Sequence, residues 1–253
     1  MRVEVNGYCP VCEKPATFLA EREDELEPRW HANWFRGNLR CVACRSVPRE
    51  RAITHVLSNL APDWRDLTIH ESSPGGGGLS RRLKTECKNY VPTQYAPDMP
   101  FGATHAKGWR NEDLEKQTFS DATFDVVVTQ DVFEHLFHPG VAIREIARTL
   151  KPGGLCVMSV PVVQPWAPSR RRAAITREGV VNLLPEQFHG NPVGDGKSLV
   201  TVDWGYDIGA YLTSFSGIPF AVMVIDDMNL GVRDPYNVIL AGRKTAPPDL
   251  GEV

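Results

Sequence analysis

The segment over residues 124–160 constrains the fold more than any other part of the chain. It begins with the β-branched run FDVVV at 124–128, and polar residues follow from Thr129 to His135. Such a run is typical of a parallel strand buried on both faces, and open α/β sheets bind ligands where these strands end. A helical pattern that begins at Pro139, a turn at LKPGG (150–154) and an apolar run over 155–160 come next. The order predicts an α/β fold with a site at this strand end.

Length and charge narrow the class of protein. A chain of 253 residues can bury one sizeable core and has residues left for a small appendage. The net charge of −3 provides no global attraction to nucleic acid or anionic lipid, which favours a small or neutral substrate. Apolar runs are too short to span a membrane, and Glu4, Asn6 and Gly7 do not resemble a secretory signal. We therefore expect a cytoplasmic protein.

Four of the six cysteines form two CxxC pairs, Cys9–Cys12 and Cys41–Cys44. Four thiolates in this arrangement suit tetrahedral Zn²⁺ in a structural site. Disulfides or reduced free thiols are the alternative, and the cytosolic redox poise opposes disulfides. A redox role is disfavoured because neither pair has a βαβ context. Residues 1–45 are predicted to form a zinc-knuckle module.

Alternating strand and helix patterns predict a main domain over 46–245 and a tail over 246–253. A helix after Ser46, with Pro48 in its first turn, has Leu60 on its apolar face. The segment 161–206 is rich in proline and loops, and insertions of this kind are often functional lids. A later helix is predicted to be opened by Asp207 and stopped by Gly217. Strands over 220–225 and 237–242 close the domain.

A glycine-rich segment, ESSPGGGG at 71–78, follows one predicted strand and precedes a helix. An α/β fold needs glycines at this point for the backbone to approach a ligand, although a glycine run alone also fits a flexible connection.

The glycine segment and the FDVV…EH block, followed by LKPGG at 150–154, resemble the class I S-adenosylmethionine-dependent methyltransferases. Glu71 takes the acidic position of the family's E-x-G-x-G-x-G motif, Gly75 and Gly77 match its second and third glycines, and Ser73 replaces the first. The resemblance implies a Rossmann-like, doubly wound, mostly parallel seven-stranded sheet, preceded here by a small zinc-binding module. It also implies that S-adenosylmethionine (SAM) is the cofactor and S-adenosylhomocysteine the product.

The same resemblance implies where the cofactor lies. Gln94 and Tyr95 end the second strand, where the family binds ribose and adenosine. Glu112 or Asp113 stands where the family binds the adenine amino group. Gln130 and His135 are expected to face the cofactor, although His135 also fits a buried helix residue.

Asp131 and Glu134 have the spacing of a helix capping box, and we favour that interpretation over acid–base chemistry. His189, in the predicted lid, is the candidate catalytic base or substrate anchor because histidine titrates near neutrality; a plain loop histidine fits equally well. Arg170, Arg171 and Arg172 either bind an anionic substrate group or form a solvated face.

The expected function is methyl transfer from SAM to a small-molecule or sugar-like acceptor. An rRNA methyltransferase with a zinc module is one alternative, which the acidic stretch at 21–27 opposes. A non-catalytic interaction module built on the same fold is another, and SAM spent in different chemistry is a third.

Overall fold

A computed structural model describes residues 2–21, 36–191, 196–233 and 237–246. The N-terminal region is a three-stranded antiparallel sheet of β1 (Arg2–Cys9), β2 (Lys14–Glu21) and β3 (Arg40–Cys41). The CxxC pairs lie in the β1–β2 turn and directly after β3, so both meet at one end of this sheet. Most of the acidic stretch, residues 22–27, lies outside the described residues.

The main domain alternates helices and strands, as the sequence predicted. In chain order its first elements are α1 (Pro48–Leu60), β4 (Thr68–Ser72), α2 (Gly78–Glu86), β5 (Asn89–Gln94), β6 (Arg110–Asn111), β7 (Phe124–Gln130), α3 (Pro139–Thr149) and β8 (Leu150–Ser159). The segment 161–206 contributes β9 (Arg170–Arg171), β10 (Ala173–Thr176), β11 (Gly179–Asn182), β12 (Phe188–Gly190), β13 (Lys197–Leu199) and β14 (Val202–Asp203). The chain then forms α4 (Ile208–Ser216), β15 (Phe220–Val224) and β16 (Val238–Arg243).

Seven of these strands form one sheet in the order β15-β16-β8-β7-β4-β5-β6. Strands β4 to β8 pair in parallel, and β16 runs antiparallel to both β8 and β15. This confirms the predicted mostly parallel, Rossmann-like sheet. The chain order reverses between β4 and β7, and such a switch point opens a crevice at the carboxyl ends of the strands. The boundaries at 45/46 and 245/246 stay predictions.

Helix α1 connects the cysteine region to the sheet. Its residues Ile53, Val56 and Leu57 are buried against the sheet core, whereas Leu60, predicted on the same face, is 42% exposed because it ends the helix. Arg51 is fully buried in this helix, and its guanidinium donates to the carbonyl oxygens of Ser46, Leu39, Leu230 and Gly231. One side chain thus joins the first sheet to the turn between β15 and β16.

The 161–206 segment is more ordered than predicted, since it contains three antiparallel strand pairs: β9 with β14, β10 with β11 and β12 with β13. Arg170 and Arg172 pair with Asp203, while Arg171 donates to the carbonyl of Phe137. The arginine run therefore helps to hold the segment together, and an anion-binding role for it stays a prediction.

Two local predictions were wrong. The LKPGG sequence is the start of β8 rather than a turn before it; a register shift on β7 and the left-handed Gly153 absorb the irregularity. Asp207 precedes α4 but does not cap it, because its carboxylate accepts from the backbone N and Oγ of Ser169. Gly217 ends α4 with φ of 70°, as predicted.

Across the described ranges, no helix combines the length and apolar character that crossing a membrane requires.

Candidate functional site

A cavity of about 1030 Å³ opens at the carboxyl ends of β4, β5 and β7. Its volume lies at the upper end of ligand pockets, roughly 300–1,000 Å³, and therefore accommodates a cofactor together with a small acceptor. The predicted glycine loop and Gln130 both line it, so the two halves of the site meet as expected. The predicted residues on its wall are Ser73, Gly75, Gly77, Gln94, Tyr95, Glu112, Asp113, Gln130, His135 and His189.

Glu71 lies behind this wall rather than on it. Its carboxylate is fully buried and accepts from Ser80 Oγ at 2.7 Å, Tyr90 OH at 2.6 Å and Gln130 Nε2 at 2.8 Å. Burial raises the pKa of Glu71, and these donors oppose the rise. We therefore expect Glu71 to orient Gln130 instead of contacting a ligand.

The glycine loop leaves β4 through a left-handed residue. Ser73 has φ of 54°, and its backbone N donates to Thr93 O at 2.8 Å. This conformation favours glycine, which explains why the family motif has glycine where Ser73 stands. The loop keeps the geometry despite the substitution.

The ends of β5 and β6 supply polar groups to one end of the cavity. Gln94 Nε2 donates to Pro74 O at 3.0 Å, which fixes the amide against the glycine loop. Glu112 is occupied by Arg110 and by Thr118, whose backbone N and Oγ1 both donate to it. Asp113 receives one backbone donor, from Glu115, and burial raises its pKa. Of the two acids, Asp113 has more acceptor capacity left for a ligand.

The capping-box interpretation of Asp131 and Glu134 was wrong. Asp131 adopts φ of 53°, and its carboxylate forms a two-point ion pair with Arg36 and accepts from Ser159 Oγ at 2.8 Å. Arg49 Nε lies 3.3 Å from the same carboxylate. Burial raises the pKa of Asp131, but the charge and hydrogen bonds of Arg36 outweigh it and hold the pKa well below its usual range.

Glu134 instead forms a cluster with the two predicted histidines. Its Oε1 lies 3.6 Å from His189 Nδ1 and 3.7 Å from His135 Nε2. Glu134 is buried, and within the described residues neither carboxylate oxygen has a hydrogen-bond partner. His135 Nδ1 lies 2.8 Å from Leu199 O, a contact that requires the proton on Nδ1 and leaves a lone pair on Nε2, beside Glu134 Oε1. Three Lewis bases thus converge, and their ligand atoms lie within 4.8 Å of one another.

The four cysteines also converge. Cys9 Sγ lies 3.7 Å from Cys44 Sγ, and Cys12 Sγ lies 3.8 Å from Cys41 Sγ, too far for disulfides. Zinc–sulfur bonds of about 2.3 Å in a tetrahedron place sulfurs roughly 3.8 Å apart, so the cluster has the size of a four-thiolate zinc site.

Arg36, Arg49 and Glu50 are among the cavity-wall residues that sequence reasoning missed. Glu50 had one local signal, since it is the third residue of a helix that starts at Pro48, but that signal predicts a helix cap. Asp203 and Trp204, which the sequence suggested as possible lining of the same cavity, are not on its wall: Asp203 belongs to an ion-pair cluster and Trp204 to the core.

Comparisons with known proteins agree with this arrangement. Residues 70–158 match the family described as a methyltransferase domain. A ubiquinone biosynthesis O-methyltransferase of Cereibacter sphaeroides is 30% identical over 152 residues, which cover 57% of this chain and 59% of that protein. The protein of the same name from Caulobacter vibrioides is 30% identical over 136 residues, 50% of this chain and 52% of that protein. The chain therefore spans between about half and three fifths of these curated relatives.

A solved structure shares the fold. The YcgJ protein of Bacillus subtilis superposes with a TM-score of 0.50 at 9% sequence identity, covering 78% of this chain and 99% of that one. The family match, the curated relatives and the sheet order agree: residues 70–158 form a methyltransferase domain, and this domain is set in the mostly parallel seven-stranded sheet that the resemblance to class I S-adenosylmethionine-dependent methyltransferases implied.

Proposed function

We propose that this protein transfers a methyl group from SAM to a hydroxyl oxygen of a small-molecule or sugar-like acceptor. The observation that carries the proposal is the cavity in which the glycine loop and Gln130 face the cluster of Glu134, His135 and His189. Two relatives are O-methyltransferases, which supports oxygen as the acceptor atom.

The residues present fit the cofactor. Gln94, Tyr95 and Asp113 supply polar and aromatic contacts at the adenosine end, and the glycine loop admits a ligand close to its backbone. SAM, when bound, supplies an electrophilic methyl carbon, so the protein must mainly align the acceptor and exclude water.

His189 is proposed to take the proton of the acceptor hydroxyl. A new oxygen–carbon bond forms as the carbon–sulfur bond breaks, and the proton passes to His189, so the products are a methyl ether and S-adenosylhomocysteine. Glu134 stabilises the resulting imidazolium, because its carboxylate lies 3.6 Å from His189 Nδ1.

One observation favours a second way of activating the acceptor. A buried carboxylate without hydrogen-bond partners, next to two imidazoles, is also a ligand set for a divalent cation. A cation there would lower the pKa of a bound hydroxyl and replace the base. Dialysis against a chelator, followed by one equivalent of Zn²⁺ per chain to refill the cysteine cluster, separates the two routes: the base route then regains its activity, and the metal route regains it only when Mg²⁺ or Mn²⁺ is added as well.

The function is tested by titrating SAM and S-adenosylhomocysteine calorimetrically and by assaying methyl transfer to phenols, catechols and sugars. We expect both ligands to bind, and His189→Ala to abolish turnover while cofactor affinity is retained. Arg177→Gln, on an exposed turn of the same segment, serves as the control. Absence of binding for both ligands would overturn the enzymatic proposal and favour a non-catalytic interaction module.

We also propose that the four cysteines bind one structural Zn²⁺, because their sulfur separations suit it. The rRNA alternative is tested separately, by adding rRNA fragments to the methyl-transfer assay; methylation of RNA in preference to every small acceptor would replace the small-molecule proposal.

A further inference from the structure

The helix that follows the cysteine module brings two charged residues into the cofactor cavity. Arg49 and Glu50 are neighbours in the first turn of α1, and both line the cavity beside the glycine loop. Arg49 lies beside Asp131, which follows Gln130 at the end of β7, and Glu50 lies against Gly77 of the glycine loop.

Within the described residues, one carboxylate oxygen of Glu50 accepts a hydrogen bond and the other does not. Oε2 accepts from the backbone N of Val47 at 2.9 Å and so caps α1. Oε1 has no hydrogen-bond donor among the described residues. The side chain is buried except where it lines the cavity. Because Glu50 lines the cavity, this oxygen is available to a cation or hydrogen-bond donor of a bound ligand.

Gly77 shows how closely this oxygen approaches the loop. A Cβ built on Gly77 would lie 1.8 Å from Glu50 Oε1. Gly77 has φ of −78°, which any residue adopts, so the backbone conformation does not require glycine here. Glycine is favoured at this position because Glu50 Oε1 occupies the space that a side chain would need.

Arg49 supplies the opposite charge. Its Nε lies 3.3 Å from Asp131, but that carboxylate already forms the two-point pair with Arg36. Two guanidiniums share one carboxylate, which leaves a net positive charge beside the negative Glu50. The Arg49 side chain is about one third exposed, towards the cavity that it lines.

We propose that Arg49 and Glu50 bind the amino-acid end of the cofactor, Glu50 the α-ammonium and Arg49 the α-carboxylate. The inference rests on the proposed function, since it assumes that SAM occupies the cavity. It makes the region appended before the catalytic sheet a part of the cofactor site, because the loop from Cys44 to Val47 leads directly into these two residues.

The module also packs against the loop that the cofactor would touch. A Cβ on Gly78 would lie 2.9 Å from Ser46 Cβ, and Ser46 Oγ lies 3.1 Å from Cys44 Sγ. Arg82 of α2 donates to Pro10 O at 2.7 Å. The cysteine site, α1 and the glycine loop are thus in direct contact.

The test uses three ligands that differ at the amino-acid end, by calorimetry on the full chain. SAM carries both groups, decarboxylated SAM carries the ammonium alone, and 5′-deoxy-5′-methylthioadenosine carries neither. Because methylthioadenosine is a thioether and also lacks the sulfonium charge, the affinity of each ligand is compared between variant and wild type and not between ligands. Glu50→Gln keeps an acceptor for the Val47 cap, and Arg49→Gln removes the guanidinium. Glu178→Gln and Arg177→Gln, on an exposed turn, are the charge-matched controls.

We expect Glu50→Gln to weaken SAM and decarboxylated SAM by roughly tenfold or more. Arg49→Gln should weaken SAM by a similar factor and leave decarboxylated SAM unchanged. Neither variant should alter methylthioadenosine binding by more than about twofold, and the controls should alter nothing.

Equal weakening of all three ligands would overturn the inference, because it would mean general damage to the cavity. Unchanged SAM affinity in both variants would overturn it as well. If the wild-type protein binds none of the ligands, the proposed function itself is refuted. If the wild-type protein binds SAM and both variants bind it equally well, only the inference about Arg49 and Glu50 is refuted.

Discussion

His70 is predicted to make the protein sensitive to mild acid. The imidazole is fully buried in β4, with Nε2 2.9 Å from Thr93 Oγ1, and its ring centroid lies 5.4 Å from that of Phe119 and 4.9 Å from that of Phe124. Nδ1 has no hydrogen-bond partner within the described residues. Burial lowers the pKa of His70 to about 3.

The direction and size of the effect follow from linkage. The unfolded chain binds a proton at this histidine below about pH 6.5, whereas the folded protein binds it only near pH 3. Above pH 6.5 the neutral, buried His70 therefore does not reduce the free energy of unfolding. Below pH 6.5 the free energy of unfolding falls as the pH decreases towards 3. Between pH 7 and pH 5 the loss is about 2 kcal/mol. This figure changes little while the folded pKa stays below about 4.

The assay is urea denaturation of the wild type and His70→Gln at both pH values. Glutamine stays neutral and retains an amide that can reach Thr93. Effects of acid on other groups, including the cysteine cluster, occur in both proteins and cancel in the comparison. The wild type should lose about 2 kcal/mol more than the variant. His105→Gln, on a surface loop, controls for replacing a histidine. Equal losses in the wild type and His70→Gln would refute the reasoning.

Three further predictions concern the cysteine cluster and the cavity wall. Metal analysis after dialysis should find about one zinc per chain, and Cys12→Ser should reduce the metal content and lower Tm; no zinc and four freely titratable thiols would contradict the site. Asp131→Asn should lower the free energy of unfolding by about 2–3 kcal/mol, because Arg36 is buried and loses its counter-charge; a loss below about 0.5 kcal/mol would show that solvent replaces the pair. Gly77→Ala should cost about 1–3 kcal/mol and weaken SAM binding through its collision with Glu50, whereas Gly76→Ala, with nothing within 4 Å of its Cβ, should do neither.

The sheet could be predicted because its signals are local. The β-branched run of β7, the apolar run of β8 and the glycine loop after β4 each show their structure within a few residues. Strand ends then identify the site, because parallel strands place their carboxyl ends together. Gln94, Asp113 and Gln130 were found in this way.

The failures have a common cause, which is that a distant partner replaced the local one. Asp131 has the spacing of a helix cap, but Arg36 lies 95 positions earlier and takes its carboxylate. Asp207 likewise binds Ser169 instead of capping α4. Glu50 does cap its helix through Oε2, and this local role gave no reason to expect its other carboxylate oxygen, Oε1, at the cavity. No sequence pattern distinguishes these cases.

The buried guanidinium of Arg51 has a consequence for how the protein unfolds. It holds four carbonyl groups that belong to chain segments nearly two hundred positions apart, before α1 and before β16. Separating the cysteine region from the rest of the protein would leave the buried guanidinium and the four carbonyl groups without their hydrogen bonds to one another. The small N-terminal sheet is therefore expected to unfold in a single transition with the large one. A chelator that acts on the cysteine cluster should then destabilise the whole molecule, including the edge strand β15 of the large sheet.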